Sequence, residues 1–334
     1  MTTQEEEEEK HVQEDRAILD LSNVSVEYSS SSTEKKLAAD RINLSIPWRG
    51  YTLGVVGESG SGKTTLGLSI LNLIESPGRI TSGAVRYMGR DVLAMKAGEL
   101  RNYRWKEVSM VFQSAMNSFS PVKTVGDHIA EVLVRRGDLN KSEAREQAEK
   151  LLEKVGIFGR ADDYPHEFSG GMRQRAVIAT ALALSPKILI ADEPTSALDV
   201  VVQEQILALL KKQVKELDLS LIFITHEIAI LCGLVDNIAV MYAGEIVEMG
   251  PIDDVLFEPL HPYTEMLLSS LLSLESSRDT LSKRNASSTI GAPPARVGCK
   301  YATRCKYVFD RCKNERPVLR EYKKGRMVAC HKYN

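Results

Sequence analysis

The chain has 334 residues, 43% hydrophobic and 26% charged, with a net charge of −2. That is enough apolar material for one large domain with an appendage, and the near-neutral balance supplies no general field for nucleic acid or an anionic membrane surface. No apolar run approaches the ~20 residues that span a bilayer, and the glutamate run at positions 5–9 is the opposite of a basic signal-peptide start. Residues 1–16 therefore read as a disordered acidic tail.

Residues 18–28 carry partly alternating apolar side chains and predict a long strand or a strand pair. A serine-rich turn at 29–32 and a short second strand at 37–46 follow. An apolar run at 53–56 then leads into Gly57-Glu58-Ser59-Gly60-Ser61-Gly62-Lys63-Thr64-Thr65, and a helix-prone run at 66–74 comes after it. Strand, glycine-rich turn, Lys-Thr and helix is the layout of a phosphate-binding loop. The glycines let several N–H groups point at one anion, and the helix start adds free N–H groups and the positive end of its dipole. Lys63 is placed to reach the β- and γ-phosphates of a nucleotide, and the Thr64 hydroxyl to ligate Mg²⁺. Tyr28, ahead of the loop, offers a ring either for stacking on adenine or for packing the sheet.

Further along, a short apolar strand at 108–112 ends in Gln113, whose side-chain oxygen can ligate Mg²⁺. The helical pattern from 125 to 155 marks an all-helical insertion over about 114–168, so Gln113 stands where nucleotide state can be coupled to movement of that insertion. Ser169-Gly170-Gly171 opens the next helix and makes a second anion site. One chain already has a complete phosphate cradle, so a second one makes sense if it closes on a γ-phosphate held by another subunit. The apolar strand at 188–193 ends in Asp192, placed for Mg²⁺, and Glu193, placed as general base for an attacking water. A tight turn at 196–199, containing Asp199, precedes a helix at 201–217. Another buried strand, 219–225, ends at His226, where an imidazole can contact a γ-phosphate and position water. Residues 236–242 and 245–249 predict a hairpin about Ala243-Gly244. Strands alternating with helices imply an α/β fold with a largely parallel sheet and ligands at the strand C-termini.

Residues 269–290 are serine-rich and read as a linker, and 291–334 as a small Cys-rich tail domain. Cys232 stands alone in an apolar setting and reads as core. Cys299, Cys305, Cys312 and Cys330 crowd into the tail. Four thiolates suit a four-iron–four-sulfur cluster or a tetrahedral zinc, with bare thiols or disulfides as the third reading. His331, beside Cys330, reads as a neighbouring surface histidine.

Taken in order, these motifs resemble the ATP-binding cassette (ABC) ATPase family over residues 17–260: a Walker A at 57–65, a Q-loop at Gln113, a signature at 169–174, a Walker B at 188–193, a D-loop at 196–199 and an H-loop at His226. The resemblance implies a P-loop NTPase fold with a mixed-sheet core, an antiparallel β subdomain and a helical subdomain, all within 17–268. It implies that two cassettes dimerise around two ATP molecules. ATP contacts then come from Tyr28, Gly57, Ser59, Gly60, Gly62, Lys63, Thr64, Thr65 and Asp192, with Ser169, Gly170, Gly171 and Asp199 completing the set. Catalysis rests on Glu193, His226 and Gln113, and Mg²⁺ on Thr64, Gln113 and Asp192.

Met172 within Phe168-Ser-Gly-Gly-Met-Arg-Gln-Arg, the run His261-Pro262-Tyr263-Thr264 and the cysteine tail are similar to the D-type subunit of oligopeptide/dipeptide (Opp/Dpp) importers. That narrower resemblance implies uptake of peptides or a related solute, oligosaccharide and nickel included. It implies a second, F-type ATPase subunit, two separate transmembrane permeases, an extracytoplasmic solute-binding protein and a place on the cytoplasmic face of the cell membrane, with no nucleic acid. It favours an iron–sulfur cluster over zinc at the four cysteines. Two stretches depart from the family pattern: Lys300 and Lys306 stand where proline commonly follows the cysteine, and 29–36 is serine-rich. The alternative, a soluble ABC ATPase acting on ribosomes or nucleic acid, usually carries two cassettes or a long coiled-coil insertion, and the sequence shows neither.

Overall fold

A computed structural model describes residues 17–30, 34–48, 50–113, 118–196, 198–275 and 292–333. The acidic tail, the tip of the serine-rich turn and most of the expected linker lie outside the described residues.

The N-terminal third builds an antiparallel sheet in the order β2-β1-β4-β5, from β1 (Ala17–Ser30), β2 (Glu34–Pro47), β4 (Gly78–Tyr87) and β5 (Arg90–Asp91). β1 is one long strand rather than a pair, and β2 is as long as its partner. Register shifts between Leu21 and Val24 and between Val24 and Val26 explain the imperfect alternation. Leu19 with Leu21, and Val24 with Val26, each keep the strand's two-residue alternation, and the extra β1 residue between Leu21 and Val24 re-aims the strand so that all four stay buried.

The second sheet has the order β11-β12-β10-β9-β3-β8-β7-β6. Its strands are β3 (Thr52–Val56), β6 (Val108–Val111), β7 (Ile188–Asp192), β8 (Ser220–Thr225), β9 (Asn237–Tyr242), β10 (Glu245–Pro251), β11 (Arg320–Lys323) and β12 (Arg326–Val328). β6, β7, β8, β3 and β9 run parallel, while β10, β12 and β11 add on antiparallel. Every residue of β3, β6, β7 and β8 is buried. This is why those strands read as mostly apolar runs without polar alternation, since a parallel strand is covered on both faces; the exceptions are Ser109 within β6 and polar residues at strand ends such as Thr52, Asp192, Ser220 and Thr225. The β9–β10 hairpin turns at Ala243-Gly244 as its sequence predicts.

The helices, in chain order, are α1 (Lys63–Ile70), α2 (Ala97–Asn102), α3 (Val125–Arg136), α4 (Lys141–Lys154), α5 (Gly170–Ala181), α6 (Val200–Leu217), α7 (Ile252–Phe257), α8 (Pro262–Glu275) and α9 (Asp310–Asn314). Helix α1 packs between the two sheets, where Leu66 and Ile70 meet Ile190, Ile222 and Ile224. Helices α3, α4 and α5 enclose a core of their own, with Ile129, Leu133, Leu152, Phe168 and Ala176 buried in it. Both entry points are capped from the sequence: the Thr124 hydroxyl accepts the Asp127 N–H, and Asn140 forms a reciprocal capping box with Glu143.

Three expectations are corrected. Helix α8 continues to Glu275, into the stretch read as linker. Cys232 is exposed, not core: it follows a short 3₁₀ turn, Ile228–Leu231, whose Ile228 and Leu231 take the inward positions. His331 is buried, with Nε2 2.8 Å from the Glu315 carbonyl oxygen.

Candidate nucleotide-binding and catalytic site

The loop after β3 curls around the start of α1. Gly62 has φ +102°, and a Cβ there would sit 2.1 Å from the Ala38 carbonyl oxygen. A Cβ on Gly57 would sit 2.2 Å from the Met241 carbonyl oxygen. Only glycine fits at either place, so the spacing of the motif follows from close backbone approach of β2 and β9. Lys63 is almost fully buried, and its Nζ donates to the Gly57 carbonyl (2.8 Å) and the Glu58 carbonyl (3.1 Å). Burial pushes the Lys63 ammonium below its ordinary pKa, against the pull of Glu193 and Asp192.

Beside the loop lies a cleft of about 330 Å³, lined by Tyr28, Lys36, Ala38, Ser59, Gly60, Gly62, Lys63, Thr64, Thr65, Gln113 and Glu193. The chain therefore brings Tyr28, most of the phosphate loop and two of the strand-end residues together, although they come from both sheets. Asp192, the last residue of β7, has both carboxylate oxygens buried. Burial raises its carboxyl pKa. The Thr64 hydroxyl is near enough to oppose that shift, yet neither oxygen has a hydrogen bond of full geometry. An orphaned buried carboxylate facing a threonine hydroxyl fits a divalent cation, because a cation supplies the partner the protein does not. Glu193 follows at φ +46°, a backbone conformation that L residues rarely adopt. It turns its carboxylate to His226 Nδ1 (2.8 Å) and to the Gln113 amide, which donates at 3.4 Å.

Ser169, Gly170 and Gly171 do not line this cleft. Ser169 caps α5, its hydroxyl accepting the Met172 N–H at 3.3 Å. The Asp199 carboxylate caps α6 through the Val202 N–H.

Residues 292–333 reach the same region from the other side, in a way the motif reading missed. Arg304 forms a two-pronged ion pair with Glu58 of the phosphate loop, both contacts 2.9 Å. Lys300, noted above only as a departure from proline, bonds Asp40 (2.8 Å), Glu245 (3.1 Å) and the Ala243 carbonyl (2.9 Å). Arg316 joins Asp40 and Glu245 in the same network. Glu248, fully buried, accepts the backbone N–H groups of Leu260 and His261 and the Arg326 guanidinium.

Cys299, Cys305, Cys312 and Cys330 line one small cavity with His261 and Tyr301. Burial pushes the Cys299 thiol up to about 12, and raises Cys305 and Cys330 as well. In each of these three the backbone N–H of the residue two further on (Tyr301, Tyr307 and Lys332) is near enough to oppose that shift. Among the described residues, no three His, Cys, Asp or Glu side chains are set to hold a single metal ion.

A phosphate cradle whose cleft holds a strand-end glutamate, beside a buried aspartate, is the nucleotide site of a P-loop ATPase. Comparison with known proteins agrees. Residues 39–196 match the ABC transporter family, and 247–312 match the oligopeptide/dipeptide transporter C-terminal region. The chain is 41% identical to the oligopeptide transport ATP-binding protein AppD of Bacillus subtilis (strain 168), over 95% of this chain and 97% of that protein. It is 40% identical to the dipeptide transport ATP-binding protein DppD of Escherichia coli (strain K12), over 94% and 96%. Among solved structures, the dimeric post-hydrolysis state of the ATP-binding cassette MJ0796 bound to ADP and Pi superposes with a TM-score of 0.61 at 31% identity, covering 70% of this chain and 98% of that one. The chain belongs to the family of ATP-binding subunits of oligopeptide and dipeptide ABC transporters. Among the described residues no helix is long and apolar enough to cross a membrane.

Proposed function

We propose that this chain hydrolyses ATP to power uptake of a peptide, or of a related solute such as an oligosaccharide or nickel, through separate permease subunits. The observation that carries the assignment of the hydrolytic centre is Glu193: it lines the cleft with Lys63 and Thr64, and its carboxylate lies 2.8 Å from His226 Nδ1.

Each residue then has a role. Tyr28 stacks on the adenine ring. N–H groups of the loop from Gly57 to Thr65, with Lys63, cradle the β- and γ-phosphates. Thr64, Gln113 and Asp192 are the ligands for Mg²⁺, which when bound neutralises charge on those phosphates. Glu193 takes a proton from water as the water oxygen attacks the γ-phosphorus. The bond from that phosphorus to the β–γ bridging oxygen breaks, leaving ADP and phosphate. His226 holds the Glu193 carboxylate in place and faces the γ-phosphate.

Two cassettes close on two ATP molecules, with Ser169, Gly170, Gly171 and Asp199 of one serving the nucleotide of the other. Support comes from the signature helix beginning away from its own cleft, and from the dimeric relative holding ADP and Pi. The second cassette is an F-type subunit, two permeases receive the motion through the helical subdomain, and a solute-binding protein delivers cargo outside. This places the chain on the cytoplasmic face of the membrane. By this reading residues 17–268 form the nucleotide-binding domain, with the helical subdomain at about 114–168, and 291–334 the Cys-rich extension.

The four cysteines fit a four-iron–four-sulfur cluster. They stand around a cavity rather than converging on one ion, and backbone N–H groups lie near three of the sulfurs, where they can tune thiolate ligands. When bound, such a cluster supplies a structural cross-link and a one-electron couple. Tetrahedral zinc needs all four sulfurs about one point and suits the arrangement less well.

The test of the catalytic assignment is Glu193→Gln. Turnover falls by about 100-fold or more while ATP stays bound and the dimer persists. Hydrolysis near the wild-type rate in that variant removes Glu193 from the role of base.

A further inference from the structure

The phosphate loop contains an acidic side chain. Glu58 sits one residue into a loop built to hold a polyanion, and a free carboxylate there opposes the phosphates it should help to bind. The structure disposes of that charge. Both Glu58 oxygens are held by the Arg304 guanidinium in a two-pronged pair at 2.9 Å, the strong form of this pairing. The Glu58 backbone N–H is also held, donating to the Tyr263 hydroxyl at 2.9 Å. Arg304 is itself immobilised: it is 10% exposed against 41% for Glu58, and its guanidinium lies over the rings of Tyr242 and Tyr301, 5.8 Å from each centroid. Those two tyrosines pack on each other and on Tyr263. The short segment from Cys299 to Cys305 thus carries Tyr301 and Arg304 onto the first turn of the phosphate loop. Lys63 grips the Gly57 and Glu58 carbonyls from the opposite side.

We propose that Arg304 is a positioning residue of the nucleotide site, holding Glu58 away from the phosphates and fixing the first half of the phosphate loop, so that the C-terminal extension sets ATP affinity. The inference rests on the loop binding ATP, as proposed above. Arg304 reaches no phosphate itself. Its effect passes through Glu58, and it acts on binding more than on the chemical step.

The test is a double-mutant cycle on the full-length chain, with a fluorescent ATP analogue as the binding probe and steady-state hydrolysis alongside. Arg304→Ala weakens binding about tenfold, the effect of leaving a charge unpaired beside a polyanion. KM for ATP rises by the same factor, and kcat changes by less than about twofold. Arg304→Lys restores part of the affinity. The decisive arm is Glu58→Ala: in that background Arg304→Ala has no further effect, because the charge it neutralised is gone. Glu58→Ala alters the loop rather than the cysteine segment, so it reports even if Arg304→Ala folds poorly, and melting temperature is recorded for every variant. Unchanged affinity in Arg304→Ala, or an undiminished loss in the Glu58→Ala background, overturns the proposal. Retained binding in Lys63→Ala overturns the nucleotide site itself, and so separates the two failures.

Discussion

Replacing Arg326 with methionine removes the counter-charge of Glu248, a carboxylate with no exposed surface whose partner is itself 3% exposed. Breaking a buried pair from one side costs ~3–5 kcal/mol, because the remaining charge is left in a medium that solvates it poorly. Glu248 keeps the Leu260 and His261 N–H groups, both at 2.8 Å. This places the expected loss at the lower end, about 3 kcal/mol. Each kcal/mol moves the midpoint of a domain this large by about 2 °C or slightly more, so scanning calorimetry at neutral pH should show a drop of about 6 °C. Arg326→Met combined with Glu248→Gln removes the stranded charge and should recover at least half of it. A single-variant shift below about 2 °C, or a double variant no better than the single, refutes the account of this pair as a stabilising anchor.

The Asp40 network carries a pH prediction. Burial pushes the Asp40 carboxyl up, but hydrogen bonds from Lys300 and Arg316 outweigh it and leave the group below its ordinary value of 3.8. A depressed folded-state pKa gives stability that is present above 3.8 and lost as pH falls through the lower folded value. Asp40→Asn should therefore lower the unfolding midpoint at neutral pH and flatten its fall as pH drops below 3.8; equal steepness in both proteins rejects the assignment. For the cysteines, anaerobic purification should yield a brown protein with broad visible absorbance that Cys312→Ser loses. A colourless wild-type protein carrying stoichiometric zinc would count against the cluster.

Much of the site was legible in the sequence because its chemistry sits at the ends of short, fully buried strands with apolar centres. Asp192 and Glu193 close the apolar run Ile188–Ala191, His226 follows Leu221–Ile224 after Thr225, and Gly57 and Gly62 stand where the backbone admits no Cβ. The two-strand hairpin about Ala243-Gly244 carried its own turn signal. What stayed hidden is long-range. Glu58 and Arg304 are 246 positions apart and Glu248 and Arg326 are 78 apart, and no local pattern announces such a pair. Lys300 was visible as an oddity, but its value depends on Asp40 and Glu245 meeting it in space. Cys232 was misread for the opposite reason: its apolar neighbours were buried by a turn too short to bury the cysteine as well.

The pairing of β12 with β10 has a consequence for biosynthesis. Glu248 and Met249 of β10 take their outer partners from Val328 and Met327, near the C-terminal end of the sequence. During translation the ATPase core therefore emerges with one flank of its main sheet bare and a buried acid lacking its mate. A bare flank of this kind is a template for pairing with another chain. Residues 320–328 cover that flank of β10, so termination or proteolytic trimming upstream of Arg326 would leave an adhesive, acid-bearing border on the sheet.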